Sequence, residues 1–305
     1  MSDAASEIGI QFCSIDPDRD LVLTIGTFDG VHLGHRRLVQ QVVRRGQERG
    51  CLSAAITFYP HPRAVVTGQG PACLCTLDDR LTLLRELGLD AVEVLPFTRD
   101  LAGLPAPDFM ALLCRSLRLR ELWVGSDFAL GRGREGTVAR LAEIGRELGF
   151  DVRGVPPFVV RGQVVSSTLT RELVGQGRVE AAAGLLRRRY YLRGTALPGD
   201  HRDRDLGGAA AIVAVSGGMA VPAAGLYATM VRADARQWPA TARVEPTLAS
   251  TALRLTVSVP DAFHDLAGQS LQVEFLRRLP PGVPTRPGRE PADKVRVRRQ
   301  VLSPA

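Results

Sequence analysis

The chain has 305 residues, 45% of them hydrophobic and 23% charged, which reads as a soluble, globular protein with room for two ordinary domains. Its net charge of +7 is concentrated, because residues 277–305 hold eight Arg or Lys against Glu290 and Asp293 and leave the rest nearly neutral. A proline-rich basic end of this kind reads as a solvated tail, so nucleic acid is not an expected partner.

No charged segment followed by an apolar stretch opens the chain, and export is not expected. Cys13, Cys51, Cys73, Cys75 and Cys114 form no C-x-x-C pair and lie within the first 114 residues, which argues against a disulfide framework or a zinc site. They read as reduced, structural thiols of a cytoplasmic protein.

From Leu21 the hydrophobic period alternates. Leu21 to Phe28 reads as a strand, Gly34 to about Glu48 as a helix and Cys51 to Phe58 as a second strand, together a βαβ unit. A helix capped by Thr76-x-x-Asp79 runs toward Gly88, followed by a strand in AVEVLPF, a helix in PDFMALLCRSL and a strand in ELWVGSDF. Further helices are expected near Thr137 to Leu148, Ser167 to Val174 and Val179 to Leu186. This order implies an α/β, doubly wound parallel sheet with its ligand at the carboxyl ends of the strands. Beyond Arg189 short β-like segments separated by Gly, Pro and Asp imply a small β-barrel. Leu206 to Val231 has no charge over 26 residues, but its glycine and alanine content suits barrel strands turning at Ser216-Gly217-Gly218 better than a membrane span. The expected domains are 1–188, 189–278 and a basic tail at 279–305.

Between the first strand and the first helix lies GTFDGVHLGH, Gly26 to His35. A strand-to-helix turn presents backbone N–H groups and the positive end of a helix dipole, which makes an anion site. Gly30 and Gly34 would let the backbone approach a ligand, and His32 and His35, three apart, can face one side. Two imidazole donors there could hold α-phosphate oxygens as charge builds in a pentacoordinate transition state. Ser166 and Ser167 read first as helix caps, and with Arg171 one turn on they form a second phosphate clamp. Gly131, Gly133 and Gly136 spell G-x-G-x-x-G with Asp151 twenty residues after Gly131, but a match in mid-chain is a weak dinucleotide signal.

The ten-residue string closely resembles the H-x-G-H nucleotidylyltransferase superfamily, specifically the adenylyltransferase module of the bacterial bifunctional riboflavin kinase/FAD synthetase family. FYPHP (58–62), VGSDFALGRGREG (124–136) and SSTLTRELV (166–174) continue the likeness over the first 190 residues or so. The resemblance implies transfer of AMP from ATP to FMN, giving FAD and pyrophosphate, with Mg²⁺ held largely by phosphates and water. It implies His32 and His35 as transition-state donors, and Gly26, Thr27, Phe28, Gly34, Ser167, Thr168 and Arg171 as ATP contacts. Phe58, Pro60, His61 and Pro62 would border the flavin or its phosphate, with Asp127 beside the reacting nucleotides. No protein metal ligand is expected.

The second region resembles a riboflavin kinase in YYLRGTALPGDHRDRDLG, GLYATMVRADARQWPATARV and LAGQSLQVEFLRRL. The kinase's G-x-P-T-A-N signature should follow Leu206, where this chain has Gly207-Gly208-Ala209-Ala210-Ala211, and Arg254 stands near the position of the catalytic glutamate. The expected consequence is loss of kinase activity. Two alternatives share these residues: a nucleotidylyltransferase for another phosphorylated acceptor, and a flavin- or RNA-binding regulatory protein.

Overall fold

The computed structural model describes residues 12–197, 201–203, 206, 208–245, 254–259 and 266–280. Expectations about residues 1–11, Asp205, Gly207, the Arg254 side chain and the tail beyond Pro280 therefore lie outside the described residues.

The first half holds strands β1 (Asp20–Ile25), β2 (Leu52–Tyr59), β3 (Ala91–Pro96) and β4 (Arg118–Gly125), then the short pair β5 (Ala129–Leu130) and β6 (Gly136–Thr137), then β7 (Asp151–Val155). β8 (Val159–Val160) and β9 (Gln163–Val164) form a second short ribbon. Helices are α1 (Leu33–Arg49), α2 (Pro62–Thr67), α3 (Leu77–Arg85), α4 (Arg99–Gly103), α5 (Ala106–Ser116), α6 (Val138–Leu148), α7 (Ser167–Gly175) and α8 (Val179–Leu186).

Five strands make one parallel sheet ordered β3-β2-β1-β4-β7. β1 is buried at every position after Asp20 because helices cover both faces, as in a doubly wound sheet. Leu21, Leu23 and Ile25 pack into one core with Met110 and Leu122, while Val22 packs on the other face with Val39 and Leu84. Glu121 on β4 is a fully buried acid, and Arg45 at 2.9 Å and Arg49 at 2.6 Å bind it from α1 while the Trp123 indole donates to it. Burial opposes its ionisation, but those donors win and hold its pKa down at about 2.

The second region comprises β10 (Tyr190–Ala196), β11 (His201–Asp203), β12 (Gly208–Val215), β13 (Gly225–Ala233), β14 (Arg236–Glu245), β15 (Arg254–Ser258) and β16 (Ser270–Arg278). The order β10-β16-β13-β14-β15-β12 closes through the β10–β12 pairing into a six-stranded antiparallel barrel, and β11 adds to β12. Closure removes the exposed edges that an open sheet of this size would carry. The uncharged stretch from Leu206 to Val231 contributes β12 and most of β13, and among the described residues no helix is long and apolar enough to cross a membrane.

The two regions share a core. Leu173, Val174, Val179, Leu185 and Leu186 of α7 and α8 pack with Tyr190, Tyr227 and Phe275 of the barrel. A second connection is the bridge between Cys73 and Met219, where Cys73 N–H donates to Gly218 O at 2.6 Å and Ala220 N–H to Cys73 O at 2.8 Å.

Several elements depart from the pattern-based expectation. β1 stops at Ile25 rather than Phe28, because Phe28 turns to φ 48° and leaves the sheet. The short helix α2, which no sequence pattern marks, follows Pro60-His61, with Pro62 in its first turn, where its missing N–H costs nothing. α4 and β7 had no sequence signal strong enough to read: one is five residues long, and the other is the DVRGV edge strand with only its last residue buried.

Candidate active site

GTFDGVHLGH forms the turn between β1 and α1, the inner crossover of the sheet, at the strands' carboxyl ends. Gly26 N–H donates to Ile56 O at 3.0 Å, so the turn begins as a continuation of the sheet. Phe28 and Val31 then take φ of 48° and 43° and reverse the chain into α1. Positive φ is unfavourable for such residues and persists where surrounding packing fixes it; Phe28 is 1% exposed and Val31 fully buried.

His32 is the N-cap of α1, and its Nδ1 accepts the His35 N–H at 3.4 Å. The two rings are stacked, 3.7 Å between centroids and 17° from parallel. Phe28 meets His35 edge-on at 5.3 Å. Burial lowers the His32 pKa to about 4, with the Arg171 charge adding to the effect. His35 is held well below its ordinary range, first by burial and then by the charges of His32, Arg80 and Arg171. Both rings are therefore neutral near pH 7. With His32 Nδ1 accepting, its proton resides on Nε2. The His35 Nδ1 is buried and has no hydrogen-bond partner.

The glycines of the turn serve different ends. At Gly34 a Cβ would lie 3.2 Å from the His32 ring, so the glycine makes room for the histidine stack. Gly30 was expected to approach a ligand, but it packs inward: at φ +79° its missing Cβ would lie 2.8 Å from Leu74 Cδ1.

Asp29 ties the turn to two distant segments. Its buried carboxylate accepts the Leu74 N–H at 2.9 and 3.1 Å and pairs with Arg171 Nη2 at 2.9 Å. Arg171 Nε also donates to Ala72 O at 2.7 Å, and Ser167 Oγ donates to the Asp29 carbonyl at 2.9 Å. Ser166, not Ser167, caps α7, accepting the Leu169 N–H at 3.1 Å. The turn, the 72–75 segment and the start of α7 are thus one hydrogen-bonded unit. Asp29 stands inside the motif, but a carboxylate there repels a phosphate, and nothing local in the sequence points to its anchoring role.

A cavity of about 1190 Å³ opens over the turn. It brings together Gly26, Thr27, Phe28, His32, Gly34, His35, Phe58, His61, Pro62, Asp127 and Ser167. Pro60, Thr168 and Arg171 do not line it. Pro60 is exposed behind a cis Tyr59–Pro60 peptide, Thr168 is exposed on the first turn of α7, and Arg171 is engaged with Asp29. His61 caps α2, its Nδ1 accepting the Arg63 N–H at 3.2 Å, and burial lowers its pKa. Phe58 and Phe97 meet edge-to-face at 5.4 Å and, with Phe128, give the cavity an aromatic part.

Arg63 and Arg99 also line the cavity and carry no signal in the sequence, and Arg134 lines it too, from a loop whose Arg132 and Arg134 read in the sequence as phosphate-facing. In the G-x-G-x-x-G stretch, Gly131 and Gly136 press against Ala106, and Arg134 Nη2 donates to the Asp127 carbonyl at 3.2 Å. The glycines thus serve packing between the loop and α5. Among the described residues, no three His, Cys, Asp or Glu side chains converge as a metal site.

The FAD synthetase family model matches residues 14–169, and the riboflavin kinase family model matches residues 186–283. The bifunctional riboflavin kinase/FMN adenylyltransferase of Escherichia coli K12 is 34% identical over 276 residues, covering 89% of this chain and 88% of its own. The Pseudomonas fluorescens protein of the same description is 34% identical, with 86% and 85% covered, and that of Listeria monocytogenes is 28% identical, with 87% and 85% covered. The crystal structure of a macrolide-efflux protein from Streptococcus pneumoniae superposes with a TM-score of 0.78 over 88% of both chains; at 24% identity it shares the fold. The paired α/β sheet and closed barrel, the histidine turn and these relatives together show that the chain belongs to the bifunctional riboflavin kinase/FMN adenylyltransferase family.

Proposed function

We propose that the α/β region, taken as residues 1–188, transfers AMP from ATP to FMN, and that the barrel, residues 189–278 ahead of a basic tail at 279–305, does not phosphorylate riboflavin. The observation that carries the transfer reading is the stacked, neutral His32–His35 pair at the start of α1, facing a cavity that also holds Phe58, Phe97 and Phe128.

In this reading an FMN phosphate oxygen attacks the α-phosphorus of ATP in line, the bond to the β-phosphate bridge breaks, and pyrophosphate leaves. His32, through Nε2–H, and His35 donate to the α-phosphate oxygens as their charge grows. Gly26, Thr27, Phe28 and Gly34 shape the ATP side. Ser167 holds the polyphosphate from the cavity wall with Thr168 beside it on the first turn of α7, while Arg171, paired with Asp29, keeps the turn docked against α7. Phe58, Pro60, His61, Pro62 and Asp127 form the FMN side. Mg²⁺ enters with ATP on phosphate oxygens and water, in keeping with its preference for partly hydrated sites. We place the reaction in the cytoplasm, in line with five free cysteines.

Loss of the kinase step is supported by Gly207 to Ala211, which offer no side-chain oxygen for a metal–nucleotide complex, and by Arg254 in place of a carboxylate. Incubating the whole protein with Mg-ATP and either FMN or riboflavin tests both parts. FAD is expected from FMN, and no flavin nucleotide from riboflavin alone. Failure of FMN to become FAD would remove the transfer reading.

A further inference from the structure

Arg80, on α3, is 3% exposed and is the only buried arginine among the described residues. Of the buried carboxylates, Asp29, Asp79, Glu121 and Glu274 each hold an arginine, Arg171, Arg193, Arg45 and Arg232 in turn, and Glu93 accepts the Ser14 N–H. Arg80 has no such counterpart among the described residues. Its Nη1 donates to Thr57 Oγ1 at 3.3 Å and to the Phe58 carbonyl at 3.2 Å, and its Nε is buried without a partner. Removing a guanidinium from water with neither a carboxylate nor a full set of acceptors is costly, so its persistence calls for a reason.

Its position supplies one. Thr57 Oγ1 passes the contact on to the Thr27 carbonyl at 3.2 Å, and Thr27 and Phe58 both line the cavity. Arg80 therefore lies directly behind the wall that carries the histidine turn. Asp29 and Arg171 balance each other there and the histidines are neutral, so Arg80 leaves an uncompensated positive charge behind that wall. We propose that Arg80 is a built-in counter-charge for the polyphosphate chain at the His32–His35 end of the cavity, a positioning residue whose charge acts through space across the wall formed by Thr57, Thr27 and Phe58. This deepens the transfer reading and rests on it for the identity of the reactant. A polyphosphate entering the cavity would supply the negative charge that buried Arg80 lacks, across a protein wall where charges are weakly screened.

The test uses inorganic tripolyphosphate as the probe, titrated calorimetrically into the full chain. A variant carrying both His32→Ala and His35→Ala fixes the signal from anions bound elsewhere. Arg80→Met and Arg80→Gln are expected to weaken tripolyphosphate by about tenfold, the scale of one charge lost across a protein wall. Arg80→Lys should stay within about threefold because it keeps the charge, and Thr57→Val should do the same because it breaks only the hydrogen-bonded link. Melting curves identify variants that have lost the fold. If neither neutral variant folds, Arg80→Lys decides the matter, since a tenfold loss there would assign Arg80 to geometry rather than charge. Neutral variants that bind like the native chain would overturn the proposal, as would a native chain that binds no better than the double histidine variant. FAD synthesis by the native chain is assayed separately. Tripolyphosphate binding with the expected pattern but no FAD removes the transfer reading alone, whereas FAD with unchanged binding in Arg80→Met removes the counter-charge alone.

Discussion

At the scale of single residues, the histidine pair concentrates the chemistry. Each ring is stripped of water and stacked on the other, so protonating either would place a cation beside a second imidazole and near Arg171. The pair is thus set to donate as neutral rings. His32→Ala or His35→Ala is expected to lower FAD formation from FMN and Mg-ATP by at least ~100-fold, the size of effect seen when one oxyanion-type donor is removed. A steady-state assay of both variants checks this, and near-native turnover in each would take the transition-state role away. The same burial has a consequence for stability. Because the folded protein holds the His32 pKa at about 4 while the unfolded chain titrates near 6.5, acidification between those values protonates the unfolded state first. Stability is therefore lost as the pH falls from 6.5 toward 4, by about 3 kcal/mol from this residue. Thermal melts across that range should show a shallower pH dependence in His32→Gln than in the native chain.

At the scale of elements, what holds the turn is remote in sequence. Asp29 reaches Leu74 and Arg171, and Arg171 reaches Ala72, so the β1–α1 turn, the 72–75 segment and α7 stand or fall together. Removing Arg171 leaves the buried Asp29 charge with the Leu74 N–H and the Cys75 thiol as its donors. Arg171→Ala should cost about 3–5 kcal/mol of unfolding free energy, with a raised KM for ATP as the start of α7 loosens. Denaturant titration of Arg171→Ala, of Asp29→Asn and of the double variant measures it: the double variant should be more stable than Arg171→Ala, because it no longer buries an unpaired charge. A loss below 1 kcal/mol in the single variant would return Arg171 to an ordinary ion pair. This network marks the limit of what the sequence discloses. The strand, the glycine-rich turn and α1 are legible because periodicity and glycine spacing are local signals. A contact across 142 positions leaves no trace in either. The same holds for Arg80, which sits in an ordinary amphipathic helix opened by a Thr76 cap, and for α2, whose six residues carry no helical period of their own.

At the scale of the whole molecule, the switch from alternating α and β to short β segments tells the barrel from the sheet, but not how the two join. Strand order in an antiparallel barrel depends on non-local pairing, and here β16 returns between β10 and β13. The joint is a shared core of α7, α8, Tyr190, Tyr227 and Phe275, reinforced where Cys73 bridges to Met219, so the barrel supports the very segment that Asp29 and Arg171 anchor. That gives the barrel a structural use independent of any chemistry of its own, and the final prediction turns on it: the chain will need FMN supplied from elsewhere. Phosphorylating riboflavin requires an oxygen ligand for the metal–nucleotide complex and a carboxylate to take the proton of the ribityl hydroxyl. Ala210 and Ala211 of β12 are buried and apolar, and a guanidinium at Arg254 stays protonated at any relevant pH. Of the barrel's described acids, Glu274 pairs with Arg189 and Arg232 and Glu245 with Arg243, while Asp234 lies exposed between β13 and β14. The decisive measurement gives riboflavin and Mg-ATP to a variant carrying both His32→Ala and His35→Ala, in which any FMN made would accumulate rather than pass on to FAD. No FMN is expected. Its appearance at a rate matching ordinary kinase turnover, about 1 per second or more, would mean that Asp203, Asp205 or Glu245 serves as the base and that the barrel is a working kinase.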